Sequence, residues 1–428
     1  METFYDTLNI QYGACPLQCN DCEKACVISG HGSESGAAIQ TIHMDAPDFH
    51  GASTCIQCGE PACQGVCPSG AIKKGESDGV VRIDKERCIG CALCTLACPY
   101  GGVFYDVNQG KAFKCDDCDG RFDCVMACKY GVLSVGNPRL VCDCLHNEDL
   151  LSLGAFFCPG CTVELTARFT LRVLGKDLII FGPPGCGVLG VGMAHTATFA
   201  TLMTNLPSIM TGVKRYYRKK GRDVMCVGFA GDGTTADIGF QPLSAAAERG
   251  ENLIYICYDN EAYQNTGIQR SSTTPWGAWT STTQVGQEGH GKRQSAKNVP
   301  LLLAMHGIPY AATATVAHLE DYGHKLEKAK AVKDGLAYIH VLCPCPTGWK
   351  AQPEESIEIS RMAVETNYFP LWEAERGEFR ITFPVTNPRP IHEFTRQMGR
   401  FSHLSKEELD EFQAIVDDRF AMILRLAG

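Results

Sequence analysis

Cysteine is the residue type that most clearly offers chemistry in this sequence, because its thiolate binds soft metals. The chain has 25 cysteines in 428 residues, and sixteen of them fall within residues 15–128. The most regular run is C-x2-C-x2-C-x3-C-P, and its members are Cys88, Cys91, Cys94, Cys98 and Pro99. In such a run three thiolates bind one 4Fe–4S cluster, and the fourth reaches a neighbouring cluster. The spacing therefore predicts iron–sulfur chemistry.

Similar cysteine quartets recur, so the N-terminal region is a set of repeats. Three further quartets share the short gaps, and their members are Cys55, Cys58, Cys63 and Cys67; Cys115, Cys118, Cys124 and Cys128; and Cys15, Cys19, Cys22 and Cys26. Small-residue turns follow two quartets at 70–72 and 131–133, and we expect each to lead into a short strand. Four quartets supply the thiolates of four 4Fe–4S clusters. Zinc is the alternative, but zinc motifs rarely combine a dense triple with Cys-Pro.

Composition and charge argue against several other classes of protein. The net charge of −9 disfavours non-specific nucleic-acid binding. The most apolar stretch, 299–317, is interrupted by Pro300, His306 and Pro309, so no membrane span is predicted. The first ten residues lack the basic and apolar parts of a signal peptide. We therefore expect a cytoplasmic protein whose thiols stay reduced and are not paired as disulfides.

Residues 1 to about 140 resemble the four-cluster ferredoxin subunits of anaerobic oxidoreductases, most closely over residues 55–72. In that family the first quartet pairs with the fourth, and the second pairs with the third. The ligand sets implied by the resemblance are Cys15, Cys19, Cys22 and Cys128; Cys115, Cys118, Cys124 and Cys26; Cys55, Cys58, Cys63 and Cys98; and Cys88, Cys91, Cys94 and Cys67. Two departures fall on the first–fourth pair: an extra residue after Cys15, and Lys129 where the family has proline.

Beyond residue 137 the cysteine-rich pattern gives way to alternating strands and helices. An Asn-Pro pair at 137–138 marks a break, and residues 141–154 are predicted to be a linker. Its Cys142, Cys144 and His146 could ligate a metal, but two Cys and one His do not complete a site. Apolar runs at 177–181, 223–230, 253–258 and 337–342 alternate with helix-like stretches at 243–249 and 322–332. This alternation predicts an α/β domain with a parallel sheet.

Two glycine-containing loops compete as a nucleotide or cofactor site. Gly185, Gly187 and Gly190 follow a predicted strand, as in a dinucleotide fingerprint. However, residues 205–216 contain no acid that could bind the ribose, and Cys186 lies inside the loop. NAD binding is therefore not favoured at this loop.

The second loop is Gly231-Asp232-Gly233, which follows an apolar strand and precedes Asp259-Asn260 by one helix and one strand. The glycines allow close backbone approach to an anion. Asp232 and the Asn260 side chain offer the hard oxygen ligands that Mg²⁺ prefers, with diphosphate oxygens completing the octahedron. This spacing resembles the thiamine diphosphate motif.

Longer segments extend that resemblance to residues 155–428. The stretches 258–280, 343–349 and 386–404 resemble the β subunit of pyruvate-type 2-oxoacid:ferredoxin oxidoreductases. The resemblance implies a proximal 4Fe–4S cluster, the fifth in the chain, and its implied ligands are Cys158, Cys161, Cys186 and Cys345. It also implies thiamine diphosphate and Mg²⁺, and the implied contacts are Gly231, Asp232, Gly233, the Asn260 side chain, the Ala262 carbonyl and, toward substrate, Asn265.

The remaining cysteines are expected not to be cluster ligands. Cys226, Cys257 and Cys343 are interpreted as buried apolar thiols, and the other two lie in the predicted linker. The predicted organisation is a ferredoxin-like α+β module at 1–140, the linker, a cofactor domain at 155–350 and a C-terminal extension at 351–428. The extension is expected to pack on the cofactor domain or on a partner subunit.

Thiamine diphosphate supplies an electron sink for decarboxylation of 2-oxo acids. Clusters in the same chain predict that the electrons leave singly to an external acceptor, either a ferredoxin or an NAD(P)-reducing flavin subunit. The resemblance implies coenzyme A as acyl acceptor, and either pyruvate or an aryl 2-oxo acid such as phenylglyoxylate as substrate.

The family places an activating glutamate on an α subunit and adds a γ subunit, so a hetero-oligomer is expected. An electron-transfer subunit with an inactive thiamine domain is the alternative. Other acid–base candidates are interpreted as core or surface groups, namely His195, His290, His306, His318 and Glu288.

Overall fold

The computed structural model of the chain describes residues 7–10, 15, 19–30, 36–45, 48–59, 61–136, 148–385 and 387–428. The chain divides into two units, Met1–His146 and Asn147–Gly428. Cys142, Cys144 and His146, with the first half of the predicted linker, lie outside the described residues. No helix in the described ranges combines the length and hydrophobicity that crossing a bilayer requires.

In the N-terminal unit, short hairpins and very short helices carry the cysteine loops. Its described elements are β1 (Thr7–Ile10), α1 (Asp21–Ile28), β2 (Ile39–Asp45), β3 (Asp48–Thr54), α2 (Ala62–Gly65), β4 (Ile72–Lys74), β5 (Val81–Ile83), α3 (Leu93–Ala97), β6 (Val103–Asp106), β7 (Lys111–Lys114), α4 (Asp123–Ala127) and β8 (Leu133–Gly136). The antiparallel pairs are β1 with β8, β2 with β3, β4 with β5 and β6 with β7. Gly70 and Gly131 take φ values of 60° and 66° just before β4 and β8, which confirms the two predicted turns into strands.

Thiols replace much of the apolar core of this unit. Cys22, Cys26 and Cys124 are buried in one cluster of side chains with Ile39 and Phe113. A second cluster contains five thiols of the two central quartets, Cys63, Cys67, Cys88, Cys94 and Cys98. A module with so small an apolar core gains much of its folding free energy from bound metal.

The C-terminal unit alternates strands and helices. Its elements are α5 (Thr162–Leu174), β9 (Leu178–Gly182), α6 (Cys186–Val191), β10 (Ala197–Ala200), α7 (Leu206–Lys219), β11 (Met225–Gly231), a π-helical segment (Gly233–Ile238), α8 (Phe240–Glu248), β12 (Leu253–Asp259), α9 (Val299–Met305), β13 (Tyr310–Thr315), α10 (Leu319–Ala331), β14 (Leu336–Leu342), α11 (Pro346–Trp349), α12 (Ser356–Glu365), β15 (Leu371–Glu375), β16 (Glu378–Phe383), α13 (Ile391–Thr395) and α14 (Lys406–Ala427).

Across residues 148–385, eight strands form one sheet in the order β10-β9-β11-β12-β14-β13-β15-β16. The first six are parallel, and β15 and β16 add an antiparallel edge. Every residue of β12, β13 and β14 is buried, as expected for parallel strands covered on both faces. The predicted α/β domain with a parallel sheet is confirmed. The four predicted strands are shifted by no more than two residues, whereas β10, β13, β15 and β16 were not predicted.

Residues 351–428 pack into the same unit as the sheet. Helix α14 begins with a capping box at Ser405 and contacts β16. Its Phe412 and Val416 are buried with Trp349 and Tyr368 in one apolar cluster. The C-terminal segment thus reaches the loops at the carboxyl edge of the sheet.

Candidate functional site

Two predicted cluster sets of the N-terminal unit surround cavities of their own. One open cavity of about 340 Å³ is lined by Cys55, Cys58, Cys63 and Cys98. Another, of about 320 Å³, is lined by Cys67, Cys88, Cys91 and Cys94. In each set three thiols come from one quartet and the fourth from its partner, which matches the crossed pairing that the resemblance implies.

The sets of the first and fourth quartets are brought together less completely. Burial, followed by the nearby thiols of Cys19 and Cys128, raises the pKa of Cys15 to about 11. Burial, followed by the thiols of Cys118, Cys26 and Cys22, raises the pKa of Cys124 to about 12. Burial, followed by the charge of Asp117, raises the pKa of Cys115 well above its usual range. The thiol that contributes to this shift is Cys55, which is not in the second set, so the place of Cys115 in that set rests on the sequence.

The backbone of the cysteine loops is shaped to receive an anionic group. Gln57, Ala92 and Phe122 take left-handed conformations with φ of 52–58° inside three of the quartets. Such residues turn successive N–H groups toward one side, as in many iron–sulfur sites. The Gly102 N–H donates to Cys98 Sγ at 3.3 Å, and the Ala38 N–H donates to Cys26 Sγ at 3.3 Å. Hydrogen bonds of this kind stabilise thiolates and tune cluster potentials.

The thiols of the two central sets are spread around cavities rather than around a single point. Among the described residues, no three Cys, His, Asp or Glu side chains are grouped so that they could hold one metal ion. A tetrahedral zinc site would draw four sulfurs to about 2.3 Å from one point. The thiols instead line open cavities, where a cluster would occupy the space between them.

The other predicted site lies at the carboxyl edge of the parallel sheet. Cys186 follows β9, Asp232 follows β11, Asn260 follows β12 and Cys345 follows β14. The carboxyl ends of parallel strands face one edge, so the topology brings together residues that are far apart in the sequence. An open cavity of about 500 Å³ at this edge is lined by Cys186, Asp232 and Asn260, with Asn265 exposed on its wall.

Three oxygen atoms lie close together at this cavity, and two of the distances between them match those between neighbouring oxygens around Mg²⁺. The Asn260 side-chain oxygen lies 2.9 Å from the Ala262 carbonyl oxygen and 3.0 Å from Asp232 Oδ1. Neighbouring oxygens of a magnesium octahedron lie about 3.0 Å apart, because each Mg–O distance is about 2.1 Å. Rotating the amide by 180° would turn both contacts into hydrogen bonds, whereas a divalent cation satisfies the oxygens as they stand. These oxygens are a fitting donor set for Mg²⁺.

The two neighbouring carboxylates of Asp232 and Asp259 also favour binding of a cation. Burial, together with the neighbouring Asp259 carboxylate, raises the pKa of Asp232 well above its usual range. The Thr273 hydroxyl lies 3.2 Å from Asp232 Oδ2 and 2.8 Å from Asp259 Oδ1. His340 Nε2 lies 2.7 Å from Asp259 Oδ2, within hydrogen-bond distance of the second carboxylate. A bound divalent cation would stabilise the ionised form of Asp232.

The two glycines beside Asp232 pack closely against tyrosine rings. A Cβ on Gly231 would lie 3.0 Å from the Tyr258 ring, and one on Gly233 would lie 2.3 Å from the Tyr263 ring. Tyr263 is fixed in place because its hydroxyl donates to the Gly233 carbonyl at 3.0 Å. The Tyr263 ring therefore excludes a larger residue at position 233, and the Tyr258 ring leaves little space for one at position 231.

Gly233→Ala is expected to weaken cofactor binding and lower stability. The new methyl group must displace the Tyr263 ring, and such overpacking costs about 1–3 kcal/mol. Gly212→Ala is the matched control, since a Cβ there meets no atom within 4 Å and φ is not left-handed. Thermal melting and thiamine diphosphate content of the two variants check this. Equal melting temperatures in both would contradict the packing argument.

The predicted proximal thiols gather beside the oxygen site. Burial, followed by the charges of Cys161, Cys345 and Cys158, raises the pKa of Cys186 to about 12, and Asp232 adds to the effect. The Gly348 N–H donates to Cys345 Sγ at 3.3 Å. At such pKa values the free thiols keep their protons near neutral pH, so iron binding must displace them. Because Cys158, Cys161, Cys345 and Asp232 all act on Cys186, the implied cluster ligands of this unit lie near Asp232.

The other ionisable candidates lie away from this cavity. His195, His290, His306 and Glu288 are exposed, and His318 packs on Phe383 with ring centroids 4.2 Å apart. The thiols interpreted as apolar are buried, Cys226 and Cys257 in strands and Cys343 just after one. Sequence reasoning missed the supporting residues of the oxygen site. Among these, His340 is hidden within the apolar run of β14, where only its polarity marks it.

Two family models match this chain, one in each unit. The family model described as thiamine pyrophosphate enzyme, C-terminal TPP binding domain, matches residues 179–341. The model described as 4Fe-4S dicluster domain matches residues 49–138. The fold and these matches define a protein with a thiamine diphosphate-binding domain and an iron–sulfur cluster domain.

Relatives of this chain place it within a family. It is 40% identical to the β subunit of the NADH-dependent phenylglyoxylate dehydrogenase of Aromatoleum evansii, over 99% of this chain and 98% of that one. It is 45% identical to the pyruvate synthase subunit PorB of Methanothermobacter thermautotrophicus, over 64% of this chain and 96% of that one. The ketoisovalerate oxidoreductase subunit VorB of Pyrococcus horikoshii is 43% identical to this chain, over 65% of this chain and 94% of that one.

The chain belongs to the family of 2-oxoacid:ferredoxin oxidoreductase β subunits, here joined to an iron–sulfur module. It is a catalytic β subunit of a 2-oxoacid oxidoreductase that uses thiamine diphosphate. These findings confirm the family predicted from the cysteine quartets and the loop after β11.

Proposed function

We propose that this subunit oxidises a 2-oxo acid with coenzyme A and passes the electrons through five 4Fe–4S clusters. The balanced reaction converts the 2-oxo acid anion and the thiol of coenzyme A to a thioester, CO₂, one proton and two electrons. Thiamine diphosphate, when bound, supplies the electron sink that makes decarboxylation possible. The observation that carries this proposal is the cavity shared by Cys186 and the three converging oxygens.

The chain's own residues divide the work at this cavity. Asp232, Asn260 and the Ala262 carbonyl would hold Mg²⁺, and Mg²⁺ would compensate the diphosphate charge. Gly231 and Gly233 let the diphosphate approach the backbone. Asn265, exposed on the cavity wall, would contact the 2-oxo acid. The partly exposed thiols of Cys161, Cys186 and Cys345 next to the cavity would keep the first electron acceptor within a short distance.

We propose phenylglyoxylate or a close aryl 2-oxo acid as substrate. The relative that acts on phenylglyoxylate matches this chain over nearly its whole length, including the N-terminal iron–sulfur region. Its name also specifies NADH, which supports an NAD-reducing flavin subunit as the electron acceptor. Pyruvate is the second candidate, because the pyruvate synthase subunit is 45% identical over 64% of the chain, although it does not match the remainder.

The subunit would act within a cytoplasmic complex containing α and γ subunits. Residues at the carboxyl edge supply a site for Mg²⁺ and diphosphate, but the described residues near the cavity include no glutamate that faces into it. The activating glutamate would therefore come from the α subunit. The competing function is electron transfer with an inactive thiamine domain, and the converging oxygens at Asp232 disfavour it.

Anaerobically purified complex is expected to contain about twenty iron and twenty acid-labile sulfide per copy of this chain, beyond what other subunits contribute. Twenty predicted ligand thiolates at four per cluster give five clusters. Iron and sulfide analysis together with zinc analysis checks the number. About four iron per chain, or stoichiometric zinc, would contradict the assignment of the N-terminal thiols.

The proposed function is tested by assaying the whole complex with a panel of 2-oxo acids and coenzyme A under anaerobic conditions. Formation of benzoyl-CoA from phenylglyoxylate at a higher kcat/KM than acetyl-CoA from pyruvate is the expected result. The reverse ranking would favour pyruvate. If no 2-oxo acid is turned over by a complex loaded with thiamine diphosphate, the electron-transfer alternative is correct.

A further inference from the structure

The turn that carries two of the proposed magnesium ligands contains a strained residue. Glu261 lies between Asn260 and Ala262 and has φ of 60°, a left-handed conformation that non-glycine residues rarely adopt. This conformation directs the Ala262 carbonyl toward the Asn260 side chain, 2.9 Å away. Because such a conformation is unfavourable on its own, surrounding contacts must hold it.

A buried ion pair supplies those contacts from the C-terminal segment. The Arg400 guanidinium donates from Nη2 to Glu261 Oε2 at 2.6 Å, and the Tyr368 hydroxyl donates to Glu261 Oε1. The side chains of Arg400 and Glu261 are only 2% and 5% exposed. Thr274 also anchors the turn, since its hydroxyl donates to the Glu261 carbonyl at 2.6 Å. Contacts on both its side chain and its backbone thus fix Glu261.

The same guanidinium reaches toward the proximal thiols. Arg400 stacks on the Trp349 ring, with its central carbon 3.6 Å from the ring centroid. The Trp349 indole N–H donates to the Asn260 carbonyl at 2.9 Å, and the Trp349 backbone N–H donates to the Cys345 carbonyl at 2.8 Å. Trp349 therefore connects the magnesium-ligand turn to the loop that bears Cys345, and Arg400 packs over that connection.

We propose that Arg400 is a positioning residue for the magnesium site: through Glu261 it holds the turn 260–262, and through Trp349 it fixes that turn against the Cys345 loop. The inference deepens the proposed function and rests on its magnesium assignment. Outer-shell partners of this kind orient ligands, and losing one weakens metal affinity by about 10–100-fold. Arg400 would act only through Glu261 and Trp349.

The test measures how much Mg²⁺ the intact, anaerobically purified complex needs to retain thiamine diphosphate during desalting. Arg400→Met is expected to raise the half-retention Mg²⁺ concentration by about 10–100-fold. Arg396→Met is the matched control, because Arg396 is exposed four residues earlier in the chain. Iron content is measured in parallel and is expected to stay unchanged in both variants.

A buried Glu261 without its partner could prevent assembly, so two further comparisons keep the test decisive. The double variant Glu261→Gln with Arg400→Met removes both charges, and it is expected to assemble and still need more Mg²⁺. Glu261→Gly is expected to retain cofactor better than Glu261→Ala, because glycine adopts the left-handed conformation without strain.

The outcomes separate this inference from the function on which it rests. If Asp232→Ala keeps full Mg²⁺-dependent retention, the magnesium assignment itself fails. If Asp232→Ala loses the cofactor while the double variant needs no more Mg²⁺ than the control, only the role of Arg400 is overturned. The role of Arg400 is also overturned if its variants lose both iron and thiamine diphosphate at every Mg²⁺ concentration. That result would show a general packing defect.

Discussion

Asp232→Ala is expected to remove thiamine diphosphate from the complex and to lower turnover by more than about 100-fold. Asp232 is the only anionic ligand among the three converging oxygens, and it is 1% exposed. Without it, a divalent cation would be held by two neutral oxygens, and the diphosphate charge would be poorly compensated. Loss of a direct ligand should exceed the roughly 10–100-fold cost of losing an outer-shell partner.

Two neighbouring variants separate the roles within this cavity. Asn260→Ala is expected to bind cofactor more weakly than the wild type but better than Asp232→Ala, because water can replace a neutral oxygen ligand. Asn265→Ala is expected to retain cofactor and lose turnover, since its proposed contact is with the 2-oxo acid.

Thiamine diphosphate content measured beside turnover distinguishes these variants. Full occupancy in Asp232→Ala would refute its assignment as a metal ligand. Loss of cofactor in Asn265→Ala would reassign that residue from substrate to cofactor contact.

Cys345→Ser and Cys186→Ser are expected to lower turnover by more than about 100-fold with every electron acceptor. Both thiols belong to the group beside the oxygen site, where the first cluster on the electron path would lie. Outer-shell losses at metal centres cost about 10–100-fold, and a direct ligand should cost more. Cys91→Ser is the matched control, because Cys91 lies in the N-terminal unit on a separate thiol-lined cavity.

The two sets of variants should differ with a small artificial dye. Cys91→Ser is expected to lose reduction of the physiological acceptor yet keep dye reduction by the C-terminal unit. The measurement is dye-linked turnover in fully assembled complex, with iron content as a check on which cluster is missing. Equal loss of dye reduction in both sets of variants would contradict an electron path that runs from the C-terminal unit through the N-terminal clusters to the acceptor.

Local features of the chemistry could be predicted from the sequence because their information is local. Cysteine spacing within a quartet records which thiols share a loop, and the structure accordingly gathers the two central sets around separate cavities. Asp232 was predictable because it directly follows a buried strand, and parallel topology places the end of β11 beside that of β12. Strand β15 escaped prediction because it joins the sheet through β13, which lies well before it in the chain, whereas β16 pairs with β15 across a short turn.

The support of the site could not be predicted, because it depends on contacts across long separations. Arg400 and Glu261 are 139 positions apart, and nothing in their types shows that they meet. The left-handed conformation of Glu261 was equally hidden, since such conformations are normally expected at glycine or asparagine. Thr273 bridges two carboxylates only because its loop folds back over the ends of β11 and β12.

The central claim is that a 2-oxo acid bound at the Asp232 cavity delivers its electrons to the iron–sulfur clusters of this chain. It is tested most directly by mixing oxidised, anaerobic complex with phenylglyoxylate or pyruvate and coenzyme A, without any acceptor, and following cluster absorbance. We expect rapid bleaching in the wild type and none in Asp232→Ala. Bleaching of equal rate and extent in Asp232→Ala, or none with any 2-oxo acid in wild-type complex loaded with thiamine diphosphate, would contradict the claim.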